Sequence, residues 1–307
     1  MFSASSFYFR RVIMVENRES ITAKLCAFVR AWHSNYVRDK VFDDYLAYDL
    51  MGKETYDKTY SWIKENFCLS TKEESEFFLN EMFAPIPLSR IQFTEERLRK
   101  FADGNKVQYV ICGAGADTFS FRNDNPDIEI FEIDHPDTRR YKLQRVKELE
   151  WNIPENVHFV SVDFEKEQIN EKLFNAGFDP ECKTFFCILG VSYYLSLATF
   201  TETLRQIASI SSADSVLVFD YPKKTGKFPE RVKKLERITG ELGEVMQGGF
   251  DYNEVSRALY SLGFQIDTFM TPEKIQKAYF ENRKDNLRAF ENVYLLSAIY
   301  TGGRDYE

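Results

Sequence analysis

An apolar run that stops on a pair of glycines limits what this chain can fold into more than any other stretch does. Residues Val107 to Arg122 read VQYVICGAGADTFSFR: Val107, Tyr109, Val110, Ile111 and Cys112 give way to Gly113-Ala114-Gly115, and a polar segment with Asp117 and Thr118 follows. The pattern is a strand, a tight turn and a helix. Glycine has no side chain and can adopt positive φ, so such a turn lets backbone approach a ligand closely. The expectation is a nucleotide-like cofactor site.

Downstream, apolar runs and helical periodicities alternate. Strands are predicted at Val107 to Cys112, Ile128 to Ile133, Val157 to Val162, Thr184 to Leu189, Val216 to Phe219, Phe264 to Phe269 and Val293 to Tyr300, with helices between most of them. Repeated βα units imply an α/β, Rossmann-like sheet that is mostly parallel, with helices on both faces. Upstream the pattern is helical. Ile21, Leu25, Phe28, Val29 and Trp32 share one face, further helices are expected at Asp43 to Met51, Tyr56 to Phe67, Lys72 to Phe83 and Leu88 to Phe101, and Gly52 and Pro85 read as breaks. Residues 1–104 therefore read as a helical cap and lead-in, and residues 105–307 as the cofactor-binding core of one integrated domain. Met14 is as good an initiator as Met1.

In a doubly wound sheet, ligands bind beyond the carboxyl ends of the strands. The residues there are Gly113 and Gly115, then Glu132-Ile133-Asp134, Asp163-Phe164, Gly190 with Tyr193 and Tyr194, and Asp220-Tyr221. Asp134 lies 19 residues beyond Gly115, a spacing that suits a carboxylate accepting from both hydroxyls of a ribose. The alternative is a helix N-cap ahead of Pro136. Asp163 and Phe164 are candidates for the adenine, or for the start of the next helix. A dinucleotide fingerprint has a third glycine where this chain has Thr118, and the acidic surroundings suit a cofactor without phosphates. The residues lean toward S-adenosyl-L-methionine.

The formal net charge of -8 argues against a nucleic-acid footprint, which needs clustered Lys and Arg. Five cysteines form no CxxC pair, which suits a reducing, cytoplasmic setting. No run of about 18 apolar residues is present to span a membrane, and no His/Cys/Asp cluster has metal-ligand spacing. Lys223-Lys224 and Lys233-Lys234 read as solvated helix and loop, and Gly248-Gly249 as a turn.

The runs VQYVICGAGADTFSFR, FEIDHPDTRRYK, FVSVDF and FFCILGVSYYL, in that order, resemble the leucine carboxyl methyltransferase-like family of class I S-adenosylmethionine-dependent O-methyltransferases, and among them the bacterial branch associated with polyketide synthesis. The resemblance extends to SITAKLCAFVRAW and PLSRIQFTEERL upstream and AFENVYLLSAIY downstream. It implies a seven-stranded sheet, Gly113, Gly115 and Gly190 lining the cofactor, Asp134 on the ribose, Asp163 and Phe164 around the adenine, and Arg90 on the methionine carboxylate. Lys24 is a second partner for that carboxylate. One departure stands out: many members carry Glu-Gly where this chain has Leu189-Gly190, so a backbone carbonyl or Tyr193 must replace the acidic contact, or binding is weakened. Tyr193 and Tyr194 are alternatively substrate-facing.

A methyl acceptor that is a carboxylate, with a pKa near ~4, is already ionised at neutral pH, whereas a phenol near ~10 gains from a base. His33, His135 and His158 stand in no recognisable base constellation, although His33 or Asp220 could be brought in by folding. The aromatic-rich start, with Trp32, Tyr36, Tyr45, Tyr48, Tyr56, Tyr60 and Trp62, reads mostly as core, with a share in covering the site. The expected function is O-methylation of a small-molecule or polyketide-like acid, with a protein C-terminal carboxylate as another acceptor. A non-catalytic cofactor-binding scaffold and an NAD-dependent oxidoreductase stay open.

Overall fold

The computed structural model describes residues 21–162, 167–224, 226–244, 246 and 249–302. Seven strands form one sheet: β1 Val107–Cys112, β2 Ile128–Asp134, β3 Val157–Ser161, β4 Thr184–Ile188, β5 Val216–Pro222, β6 Phe264–Met270 and β7 Val293–Tyr300, in the order β3-β2-β1-β4-β5-β7-β6. β1 to β5 pair in parallel, while β7 runs antiparallel to both β5 and β6. β1 is buried along its whole length. Strands covered on both faces read as unbroken apolar runs, which is why VQYVIC lacks alternation. The strand order turns back between β1 and β4, so the switch point lies beyond Cys112 and Ile188.

The helices preceding the sheet are α1 Ile21–Tyr36, α2 Ala47–Met51, α3 Lys53–Asn66, α4 Lys72–Met82 and α5 Pro85–Phe101. Their residues Phe28, Trp32, Tyr56, Ile63, Leu79 and Leu88 belong to the same packed core as Val107, Tyr109, Phe185 and Val218 of the strands. On the other sheet face Val110, Phe131, Phe186 and Phe219 pack with residues of α8 Ile169–Asn175, α9 Leu197–Ser209 and α11 Tyr252–Ser261. Between β1 and β2 stands the short α6 Phe119–Arg122, between β2 and β3 α7 Pro136–Glu148, and between β5 and α11 an additional helix, α10 Glu230–Glu241. The last helix, α12 Pro272–Ile275, runs into a π-turn at Gln276–Phe280.

Two expectations shift. The break expected near Pro85 falls at Phe83 and Ala84, and the helix expected from Leu88 already begins at Pro85, where the missing N–H would have had no intrahelical partner. The helix expected from Asp43 begins at Ala47, because Asp44 is buried in an ion pair with Arg30 at 3.1 Å. The solvated helix and loop expected for the lysine pairs are present: Lys233 and Lys234 are exposed on α10, whose Val232, Leu235 and Ile238 recur at helical spacing and are buried, and Lys223 and Lys224 are exposed just after β5. Most aromatic residues of the start pack on one another, with Phe28 4.7 Å from Tyr56 and Trp32 5.2 Å from Tyr60 between ring centroids, whereas Tyr36 and Tyr45 are exposed. Trp32, Tyr56 and Trp62 build core, and none of these aromatic residues lines the cavity described next, to which their neighbours Leu50, Met51 and Thr55 contribute. Among the described residues no helix is long and apolar enough to cross a membrane.

Candidate functional site

A cavity of about 370 Å³ opens at the switch point, lined by the turn after β1, the end of β2, the turn after β4, and residues of α1, α5, α7 and α10. That volume falls within the range of about 300–1,000 Å³ usual for small-molecule pockets. Gly113 and Gly115 both sit at positive φ, +75° and +54°, which an L side chain adopts at a cost. Gly113 has a second reason to be glycine: a Cβ there would lie 2.9 Å from Val191 Cγ2.

Charges from distant parts of the chain brace the turn. Arg30 of α1 donates to the Ala116 carbonyl at 2.6 Å, and the Thr118 hydroxyl donates to Asp44 at 2.5 Å. Arg122 donates to Thr118 Oγ1 at 2.8 Å and through both terminal nitrogens to Glu95 of α5, at 3.1 and 2.6 Å. Burial pushes the Glu95 carboxyl up, and Arg122 opposes the shift.

Asp134 ends β2 facing the cavity. Its Oδ2 accepts the Gly115 N–H at 2.5 Å and its Oδ1 the His135 N–H at 2.6 Å. Burial raises its pKa against the pull of those two N–H groups. A carboxylate can accept about four hydrogen bonds, and Thr138 supplies a third beside these two N–H groups, so acceptor capacity remains for a further hydroxyl. The capping role belongs to His135, whose Nδ1 accepts from the Asp137 N–H.

Arg90 of α5 is held beside the turn after β4. Its guanidinium pairs with Asp220 at 3.2 Å and approaches Cys26 Sγ at 3.7 Å. Burial alone would lower its pKa, but Asp220 raises it beyond the ordinary value. Its Nε–H is buried with no acceptor among the described residues, so donor capacity remains for an incoming carboxylate. Asp220 also accepts the Gly190 N–H at 2.7 Å and the Tyr193 hydroxyl at 2.8 Å, and its carbonyl takes the Ser192 hydroxyl at 2.6 Å.

This geometry corrects two expectations. Asp220 lies within β5, not after it, and is fully buried; with its carboxylate committed to three donors it is no general base. His33 is not among the described residues lining the cavity. Its Nε2 accepts the Val41 N–H at 2.9 Å, and burial, aided by Arg283, lowers its pKa to about 4. Tyr193 lines the cavity, but its hydroxyl is engaged with Asp220. Leu189 lines the cavity too, so the acid nearest Gly190 is Asp220 beneath it.

Lys24 and Tyr194 line the cavity as well, and the Tyr194 hydroxyl is 3.4 Å from Glu244. Asp163 and Phe164 lie outside the described residues, as do Met14 and Gly248. Sequence reasoning missed Arg30, Asp44, Glu95 and Arg122. Arg30 left a signal: it stands among Phe28, Val29 and Trp32 on an otherwise apolar stretch of helix, where a charge needs a partner.

A model for the family described as leucine carboxyl methyltransferase matches residues 23–208. YktD of Bacillus subtilis, assigned by name to the S-adenosyl-L-methionine-dependent methyltransferases, is 35% identical over 306 residues, covering 93% of this chain and 99% of that one. Rv3399 of Mycobacterium tuberculosis, assigned by name to the same class, is 27% identical over 67% of this chain and 57% of its own. Two crystal structures share the fold: a DUF574 family protein from Streptomyces avermitilis (TM-score 0.55, 11% identity, 89% of this chain and 96% of that one) and a protein from Thermobifida fusca named as a methyltransferase (TM-score 0.52, 15% identity, 92% and 95%).

Proposed function

This chain belongs to the leucine carboxyl methyltransferase family, and from that premise we propose an S-adenosylmethionine-dependent O-methyltransferase whose acceptor is a carboxylate oxygen of a small molecule. The observation that carries this reading is the convergence of Gly113, Gly115, Asp134 and Arg90 on one cavity at the switch point. Gly113 and Gly115 leave room for the cofactor against the backbone, Asp134 receives a ribose hydroxyl, and Arg90 receives the amino-acid carboxylate, with Lys24 as a second cation on the same cavity. Asp163 and Phe164 are assigned to the adenine by family resemblance.

When bound, S-adenosylmethionine supplies a methyl group on a positively charged sulfur; transfer to a carboxylate oxygen makes one C–O bond as the C–S bond breaks, its electron pair staying on sulfur. No proton has to be removed. The chain's own contribution is alignment and exclusion of water, which can supply about 7–11 kcal/mol. His33 and Asp220, the residues best placed in the sequence to act as a base, are both committed to structural hydrogen bonds, and an acceptor ionised above pH ~4 needs neither. The Thr22 N–H, 3.3 Å from Glu244 Oε2, joins α1 to the segment after α10, which favours a small acceptor over the tail of a folded protein.

The test is turnover with a panel of carboxylic acids and phenols of matched size, read as S-adenosylhomocysteine release and as methyl ester by mass spectrometry. Ester is expected, with a rate that changes little between pH 6 and pH 8, since the acid is ionised across that window. Turnover confined to phenols and rising toward their pKa near ~10 would replace the carboxylate reading.

A further inference from the structure

The two sides of the cavity differ in chemistry. From Asp134 a path of contacts runs through Gly115, then from Gly113 to Val191, and from Gly190 to Arg90 and Cys26. This side is backbone and charge. The other side is hydrocarbon: Met82 and Phe83 at the end of α4, Ile86 in the first turn of α5, Leu235 of α10, and Met246 beyond it, with Tyr194 near the boundary through its contact with Glu244. These elements are fastened together. Arg231 of α10 donates to the Glu81 carbonyl at 2.7 Å, and Lys234 lies 5.1 Å above the Phe78 ring.

α10 is also surplus to the topology. One helix suffices to return the chain from one strand to the next, and α11, which leads directly into β6, already does so. The extra helix spends Leu235 and Thr239 on the cavity instead.

We propose that this wall is the acceptor subsite and that it takes the apolar body of an alkyl or arylalkyl carboxylic acid, with the carboxylate directed toward the charged side of the cavity. The inference rests on the methyl-transfer reading and deepens it by naming a substrate class. A cofactor with a ribose and an amino-acid carboxylate is served by the polar side, which leaves Met82, Phe83, Ile86, Leu235 and Met246, on the fastened α4, α5 and α10 side, for a second molecule. A strongly polar acceptor would leave its groups unpaired against them, at a cost.

The experiment is calorimetric titration of the full chain, saturated with S-adenosylhomocysteine, using butanoic, octanoic and dodecanoic acids. Each methylene that enters the wall should tighten binding about fourfold, so octanoic acid is expected to bind at least about tenfold more tightly than butanoic acid. Ile86→Asn and Met246→Gln, at two partly exposed positions, should each weaken octanoic acid about tenfold while leaving S-adenosylhomocysteine affinity within about twofold. Affinity that does not depend on chain length, or variants that weaken S-adenosylhomocysteine as much as the acid, would overturn the subsite and make the wall part of the cofactor's packing. Failure of the wild type to bind S-adenosylhomocysteine at all would instead sink the methyl-transfer reading on which the inference rests.

Discussion

Asp220→Ala is expected to lower the stability of the protein by about 3–5 kcal/mol, the usual result of leaving one member of a buried ion pair without the other. Asp220 is fully buried, and its carboxylate accepts from Gly190, Tyr193 and Arg90. Removing it strands the Arg90 guanidinium, one N–H of which already has no acceptor among the described residues, in surroundings that disfavour its charge. Asp220→Asn keeps the volume and loses the charge, so an intermediate loss is expected. Urea unfolding followed by circular dichroism reads both. A midpoint for Asp220→Ala equal to that of wild type, at unchanged slope, would mean that the pair contributes nothing and that Arg90 is positioned by packing alone.

Gly190→Ala is expected to follow close behind. The residue sits at φ +73°, and a side chain in the left-handed region costs about 1–2 kcal/mol. The larger penalty comes from space: a Cβ at Gly190 would stand 2.6 Å from Arg90 Nη1 and 2.7 Å from Nη2. The guanidinium must then leave either Asp220 or the cavity, so cofactor affinity should fall together with the unfolding midpoint. Gly104 makes the matched control, because it too has positive φ, +68°, but nothing lies within 4 Å of its missing Cβ. Gly104→Ala should show the backbone penalty alone and normal affinity. Equal effects of the two substitutions would remove the steric argument for Gly190.

Local patterns were read well from the chain because they are decided locally. An apolar run ending in Gly113-Ala114-Gly115 has few folded meanings, and β1 with its turn lies where the pattern places it. The carboxyl end of β2 brings Asp134 within 2.5 Å of the Gly115 N–H, so the spacing in sequence became proximity in space. What the chain does not display is pairing across distance. Arg30 and Asp44 belong to a brace for the glycine turn, and Glu95 reaches Arg122 from α5; nothing in one sequence says which charge meets which. β5 continues to Pro222, so Asp220, which the pattern places in a loop beside the ligand, is a strand residue in the core. The helix cap that the sequence offers to Asp134 belongs to His135, since the strand ends at Asp134 and the cap falls one residue later.

Calorimetric titration with S-adenosylmethionine and S-adenosylhomocysteine, on wild type and on Asp134→Ala, tests whether the cavity beyond β1, β2 and β4 binds the cofactor through Asp134. Wild type is expected to bind both in the micromolar range, and Asp134→Ala to weaken both at least tenfold, or about 1.4 kcal/mol. Part of that loss is the ribose contact, and part is the release of the Gly115 and His135 N–H groups from the acceptor that orders the turn. Absence of binding by wild type would mean that the cavity is no S-adenosylmethionine site, and equal affinity in the variant would mean that Asp134 does not hold the cofactor.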